Sequence, residues 1–133
     1  MSPEQLRYAK THEWAFVEPG TKGPKTATIG ISAHAVEALT DLVFMQLPEV
    51  GRRVTAGQSI GEIESVKAVS DLYSPVTGQV VAVNTALPDK LETLSQDPYG
   101  EGWMVKIEMD AASSLVHLMD YAAYQKQCAE ESH

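Results

Sequence analysis

Short stretches of alternating apolar and polar residues, cut by glycine and proline, make up most of this chain. Residues 25–31, 59–64 and 103–109 alternate with the period of two expected of half-buried strands. Residues 43–47 are apolar but for Gln46 until Pro48 stops them, and residues 78–83 read as a buried strand. Turn signals recur between these runs: Pro19-Gly20, Gly23-Pro24, Val50-Gly51, Ala56-Gly57, Ser74-Pro75 and Thr77-Gly78. Residues 19–25 read as a hairpin loop. Regular short strands with this punctuation predict a mostly β sandwich or barrel.

Three segments carry helix signals. Ser32 can cap a helix over residues 33–39, where Val36 and Leu39 share a face. Asp110 or Ser113 can cap a turn bearing Leu115, Leu118 and Met119. Asp120 can cap a polar helix over residues 121–129. The expectation is one short helix after the first hairpin and C-terminal helices over about 111–130, packed outside the β core. Residues 60–64 run in and residues 68–72 run out, so Lys67 falls at the tip of a hairpin within about 59–83.

The 133 residues suit a single domain spanning 1–133. A balance of 18 acidic against 10 basic residues, net charge −8, argues against nucleic acid or an anionic membrane as partner. No apolar run exceeds four residues, far short of the ~20 a spanning helix needs. The N-terminal residues lack the pattern of a signal or transit peptide, so the expectation is a soluble, cytoplasmic protein. A lone cysteine, Cys128, excludes an internal disulfide and, on the chain's own spacing, a Cys-based metal site. The histidines at 12, 34, 117 and 133 have no partner at metal-ligand spacing, so no metal is expected. There is no Gly-x-Gly-x-x-Gly, no phosphate-binding loop and no Gly-x-Ser-x-Gly elbow. Nothing supports catalysis by this chain's own side chains, so it does not read as an enzyme.

Four motifs then narrow the field. Glu64-Ser65-Val66-Lys67-Ala68-Val69-Ser70-Asp71-Leu72 resembles the lipoyl-attachment hairpin of glycine cleavage system H proteins. Thr11-His12-Glu13-Trp14 is similar to that family's Ser/Thr-His-Glu-Trp segment. Residues 43–51 resemble its strand after the first helix, and Asp97-Pro98-Tyr99-Gly100-Glu101-Gly102-Trp103 its loop before the last strand. The likeness runs in order over nearly the whole chain. It implies a flattened lipoyl/biotinyl-type β-barrel, a barrel-sandwich hybrid, with added helices. Gly51 and Gly78, on either side of Lys67, match the turn glycines of that pattern, where positive φ is wanted.

The resemblance also implies a role. Lys67 would carry lipoic acid in amide linkage. The arm would take an aminomethyl group from a pyridoxal-phosphate glycine decarboxylase and pass it to a tetrahydrofolate-dependent aminomethyltransferase. A dihydrolipoyl dehydrogenase bearing FAD would then reoxidise it. Those three and a lipoate-attaching enzyme are the implied partners of a monomeric carrier in glycine catabolism and one-carbon metabolism. Glu13 matches the family's acid that meets the loaded arm in a cleft, with Thr11 its hydroxyl neighbour and Asp71 a second candidate. Glu62 and Glu64 are candidates for docking the attachment enzyme or partners. His12 and Trp14 read as packing residues.

Two departures concern the surface: Thr40 where glycine is common, and Arg52-Arg53 after Gly51. The alternatives are a lipoate relay protein of the same build and the lipoyl domain of a 2-oxoacid dehydrogenase acyltransferase. The latter lacks segments like Thr11 to Trp14 and sits on Pro/Ala-rich linkers, which are absent here. A biotin carrier would prefer methionines beside the lysine, where this chain has Val66 and Ala68.

Overall fold

A computed structural model describes residues 2–17, 25–39, 41–111, 113 and 115–131. Nine strands and three α-helices occur among them. In chain order these are β1 (Arg7–Tyr8), β2 (Glu13–Val17), β3 (Thr26–Ile31), α1 (Ala33–Leu39), β4 (Leu42–Gln46) and β5 (Arg53–Val54). Then follow β6 (Ser59–Ser65), β7 (Val69–Tyr73), β8 (Gly78–Val83), α2 (Glu92–Gln96), β9 (Val105–Met109) and α3 (Tyr121–Glu131). No helix among the described residues is long and apolar enough to cross a membrane.

The strands form two antiparallel sheets. One has six strands in the order β1-β2-β3-β9-β8-β5, the other three in the order β4-β6-β7. The inward positions of both meet in one core: Ile29, Val80 and Ile107 from the large sheet, Met45, Ile63 and Leu72 from the small one. Alternation produced this directly, since the pleat sends every second side chain inward. The mostly β fold therefore takes the form of two facing sheets and not one closed ladder. A second, aromatic core joins Leu6, Tyr8, Trp14 and Tyr124 under α3. The loop at 97–103 clasps it: the Trp14 indole N–H donates to the carbonyls of Ile31 at 3.1 Å and Pro98 at 3.0 Å.

Several local expectations need adjusting. Ser32 does cap α1, its hydroxyl accepting from the Ala35 N–H at 3.2 Å, and Asp120 caps α3 through the Ala123 N–H at 2.9 Å. The helix expected to start at Asp110 or Ser113 is absent from the described residues, which form turns and bends there, so the described C-terminal residues hold one helix and not two. The reason lies in the candidate caps. The Asp110 carboxylate is held by both terminal nitrogens of Arg53, at 2.9 and 2.6 Å, and the Ser113 hydroxyl accepts from the Thr77 N–H at 3.1 Å. The hairpin loop at 19–25 and the Thr40 departure fall, except for Lys25, outside the described residues.

Gly51 and Gly78 are needed for different reasons. Gly51 has φ 97, the left-handed turn expected of it. Gly78 opens β8 without positive φ; a Cβ there would run into the Glu108 carbonyl oxygen on β9. Gly78→Ala should therefore cost about 2 kcal/mol through forced displacement of the β8–β9 ladder, read as a lower urea midpoint.

Candidate functional site

Lys67 lies in the turn between β6 and β7, exposed together with both its neighbours. The turn is held from within. The Ser65 N–H donates to the Ala68 carbonyl at 2.8 Å, and the Ser65 hydroxyl accepts from the Ala68 N–H at 3.1 Å. That hydroxyl also donates to the Ala68 carbonyl at 3.2 Å. A third strand joins in: the Val66 N–H donates to the Asp41 carbonyl, just before β4, at 2.9 Å. A mobile side chain thus rises from a fixed backbone. Ser65 was not singled out from the sequence, although a serine at the start of a four-residue turn is a local signal for such bonds. Ser65→Ala should lower stability by about 1 kcal/mol and slow acylation of Lys67, measured by urea unfolding and by timed intact-mass spectra.

The surroundings of Lys67 are apolar as well as acidic. Val66 is 72% exposed, Val69 63% and Phe44 45%, and the strand register brings Phe44 opposite Glu64 and Glu64 opposite Val69. Glu62 and Glu64 are half-buried on β6, and Glu62 faces Asp71 across the ladder.

Glu13 opens β2, and its side chain is 1% exposed. The Thr11 hydroxyl donates to one carboxylate oxygen. The Tyr73 backbone N–H donates to the other at 3.1 Å. Burial pushes this carboxyl from its ordinary 4.5 up to about 7, against the opposing pull of those donors. The two residues belong to different sheets, so the bond closes one end of the sandwich. Here a cleft of about 450 Å³ opens, lined by Thr11, Glu13, Gly57, Tyr73, Ser74 and His117 among others. The structure thus brings Thr11 and Glu13 together in the cleft. It leaves Asp71 outside: that carboxylate is exposed and accepts from the Tyr73 hydroxyl at 3.3 Å. Tyr73 and His117 were not foreseen. His117 lines the cleft by donating from Nε2 to the Pro75 carbonyl at 2.8 Å.

The backbone between Thr11 and Glu13 is unusual. His12 has φ 80, the only non-glycine residue with positive φ among those described. Its N–H donates to the Ala9 carbonyl at 3.0 Å, and its carbonyl accepts from Ser32 at 3.0 Å. This left-handed step closes the β1–β2 hairpin. Away from the cleft, ring nitrogens of His12 and His34 lie with the Cys128 sulfur within 4.8 Å of one another. Spacing along the chain had given no hint of this cluster.

A two-sheet sandwich presenting an exposed lysine on a braced hairpin, with an open cleft at the sheet junction, has the build of a lipoyl-type carrier domain. The family model described as glycine cleavage H-protein matches residues 6–131. The chain belongs to that family, and its role is that of a carrier in the glycine cleavage system. It is 59% identical over 128 residues to the glycine cleavage system H protein of Rhodopirellula baltica, covering 96% of each chain. It is 48% identical over 129 residues to that of Idiomarina loihiensis, covering 97% of each. The crystal structure of such a protein from Mycobacterium marinum superposes with a TM-score of 0.84 at 45% identity, covering 95% of this chain and 98% of that one.

Proposed function

We propose that Lys67 carries lipoate and that this protein moves an aminomethyl group between glycine decarboxylase and aminomethyltransferase, with dihydrolipoyl dehydrogenase restoring the carrier. The observation that carries this reading is the exposed Lys67 on a turn held by Ser65 and Asp41. A lysine there fits amide attachment, since its amine is open to an attaching enzyme and the backbone beneath it is already in place. When attached, lipoate supplies a cyclic disulfide that accepts the aminomethyl group and is reoxidised afterwards. The chain's own contribution is presentation and shelter; it has no catalytic step of its own.

The cleft supplies the shelter. Glu13 and the Thr11 hydroxyl line this recess, and a carboxylate there offers a partner to an ammonium group. The β6–β7 hairpin links the two places, because Tyr73 at the far end of β7 holds Glu13. Val66, Val69 and Phe44, with Glu62 and Glu64, form the surface that enzymes reaching Lys67 would meet. That mixture suits transient encounters with several partners in turn. The bacterial relatives favour a cytoplasmic setting. The complete cleft, with Glu13 in place, favours this role over lipoate relay.

The test is intact mass with peptide mapping after expression in lipoate-replete cells, followed by reconstituted glycine–bicarbonate exchange with the decarboxylase. Lipoyl mass on Lys67 and restored exchange are expected. An unmodified Lys67 under those conditions would refute the reading.

A further inference from the structure

Three separate elements converge beside the β1–β2 turn. His12 comes from the turn, His34 from the first turn of α1, and Cys128 and Glu131 from α3. The two imidazole rings stack with centroids 5.2 Å apart and planes 28° apart. Their Nε2 atoms address the same Glu131 carboxylate oxygen, His12 at 3.1 Å and His34 at 3.6 Å. Residues 124, 128 and 131 recur at i, i+4 and i+7, one face of α3.

Two rings whose charged forms repel have been gathered on one carboxylate, with a sulfur close by. A tetrahedral zinc ion has bonds of about 2.0–2.2 Å to nitrogen and oxygen and about 2.3 Å to sulfur. Those bonds imply nitrogen–oxygen edges of roughly 3.4 Å and nitrogen–sulfur edges of roughly 3.6 Å. The observed 3.1 and 3.6 Å bracket the first value. The Cys128 sulfur lies within 4.8 Å of a ring nitrogen of each histidine; the Glu131 oxygen stands outside that group of three, and rotation of the Cys128 and Glu131 side chains brings the fourth ligand in.

The surroundings of His12 also suit a ligand. Its Nδ1 lies 2.6 Å from the Tyr124 hydroxyl, which in turn contacts the Ser32 hydroxyl. With Nε2 engaged, Nδ1–H donates to the Tyr124 oxygen, whose hydroxyl also contacts Ser32 and Cys128. This fixes tautomer and ring orientation, as the outer partners of metal-bound histidines do.

We propose that His12, His34, Cys128 and Glu131 form a binding site for zinc or a chemically similar borderline divalent cation. Two imidazoles and a thiolate select such an ion over magnesium or calcium. On binding, the thiol proton of Cys128 passes to solvent and the sulfur bonds the metal. Four protein ligands leave no open position, so the site is structural. It fastens α1 and α3 to the turn whose flanking residues, Thr11 and Glu13, line the cleft. The proposal is independent of lipoate on Lys67.

Metal-free full chain carrying Lys67→Ala, which removes any arm sulfurs, is titrated with zinc and with cobalt(II). Saturation at one equivalent is expected, with thiolate-to-cobalt charge-transfer absorption and tetrahedral d–d bands that zinc abolishes. Cys128→Ser should remove the charge-transfer band, and it and His34→Ala should each weaken zinc binding by about 100-fold or more. Zinc should also slow alkylation of Cys128 in the otherwise unaltered chain, a readout needing no ligand variant. Cobalt spectra unchanged by Cys128→Ser, octahedral spectra only, or alkylation indifferent to zinc would each overturn the site.

Discussion

Lys67→Ala should abolish acylation and glycine–bicarbonate exchange together while leaving the fold untouched. The side chain is exposed and the turn is held by backbone groups and Ser65, none of which the substitution removes. Surface changes of this kind alter stability by no more than about 0.5 kcal/mol. The effect on function is all or none, because no neighbouring lysine offers a second amine: Lys67 is the sole lysine between Lys25 and Lys90. Intact mass should show no adduct with purified attaching enzyme, and the urea midpoint should match that of the parent chain. Normal exchange by Lys67→Ala would refute the carrier assignment outright.

Glu13→Gln is expected to stabilise the protein while impairing its function. The folded carboxyl titrates at about 7, against an ordinary 4.5. Below pH 4.5 both folded and unfolded chains hold the proton and nothing is lost. As pH rises towards 7 the unfolded chain releases it first, so wild-type stability falls and then levels off above the folded value. The shift corresponds to about 3 kcal/mol at most. Glutamine keeps an acceptor for the Tyr73 N–H and carries no charge, so in metal-free buffer the variant should gain stability over wild type across that window. At pH 4 the two should differ little. A buried carboxylate retained against its own stability points to use, and the use proposed here is to hold an ammonium group in the cleft. The aminomethyl cargo should accordingly be lost several-fold faster from Glu13→Gln. An unchanged lifetime would count against the cleft role even if the stability difference appears.

The strands were legible wherever alternation ran for five residues or more, because burial of one face imposes that period directly. The two-residue strands β1 and β5 were not, since pairing alone defines them, and neither was β2, where residues 14–17 are apolar without alternation. The five-residue α2 lacks a side-chain cap and left no start signal. The lost helix at 111–120 failed for a different reason: its capping residues were taken by Arg53 and Thr77, partners that only the folded topology supplies. The site divides along the same line. Lys67 and Glu13 stood within recognisable motifs. Tyr73 reaches Glu13 from 60 residues away, and Cys128 reaches His12 across 116, so no local spacing could have paired them. Gly78 was assigned to the right position for the wrong reason, because a close approach to another strand leaves the same residue as a positive φ does.

The bond from Val66 to the Asp41 carbonyl has a bearing on the order of events in the cell. A chain in which β6 has met β7 but β4 has yet to dock lacks one of the ties that shape the acceptor turn. Local hairpins form within microseconds, whereas more distant pairings wait on loop closure. An attaching enzyme that reads the finished turn therefore marks chains whose small sheet is already assembled. On the proposed function, acylation of Lys67 would then be confined to chains that have completed the small sheet.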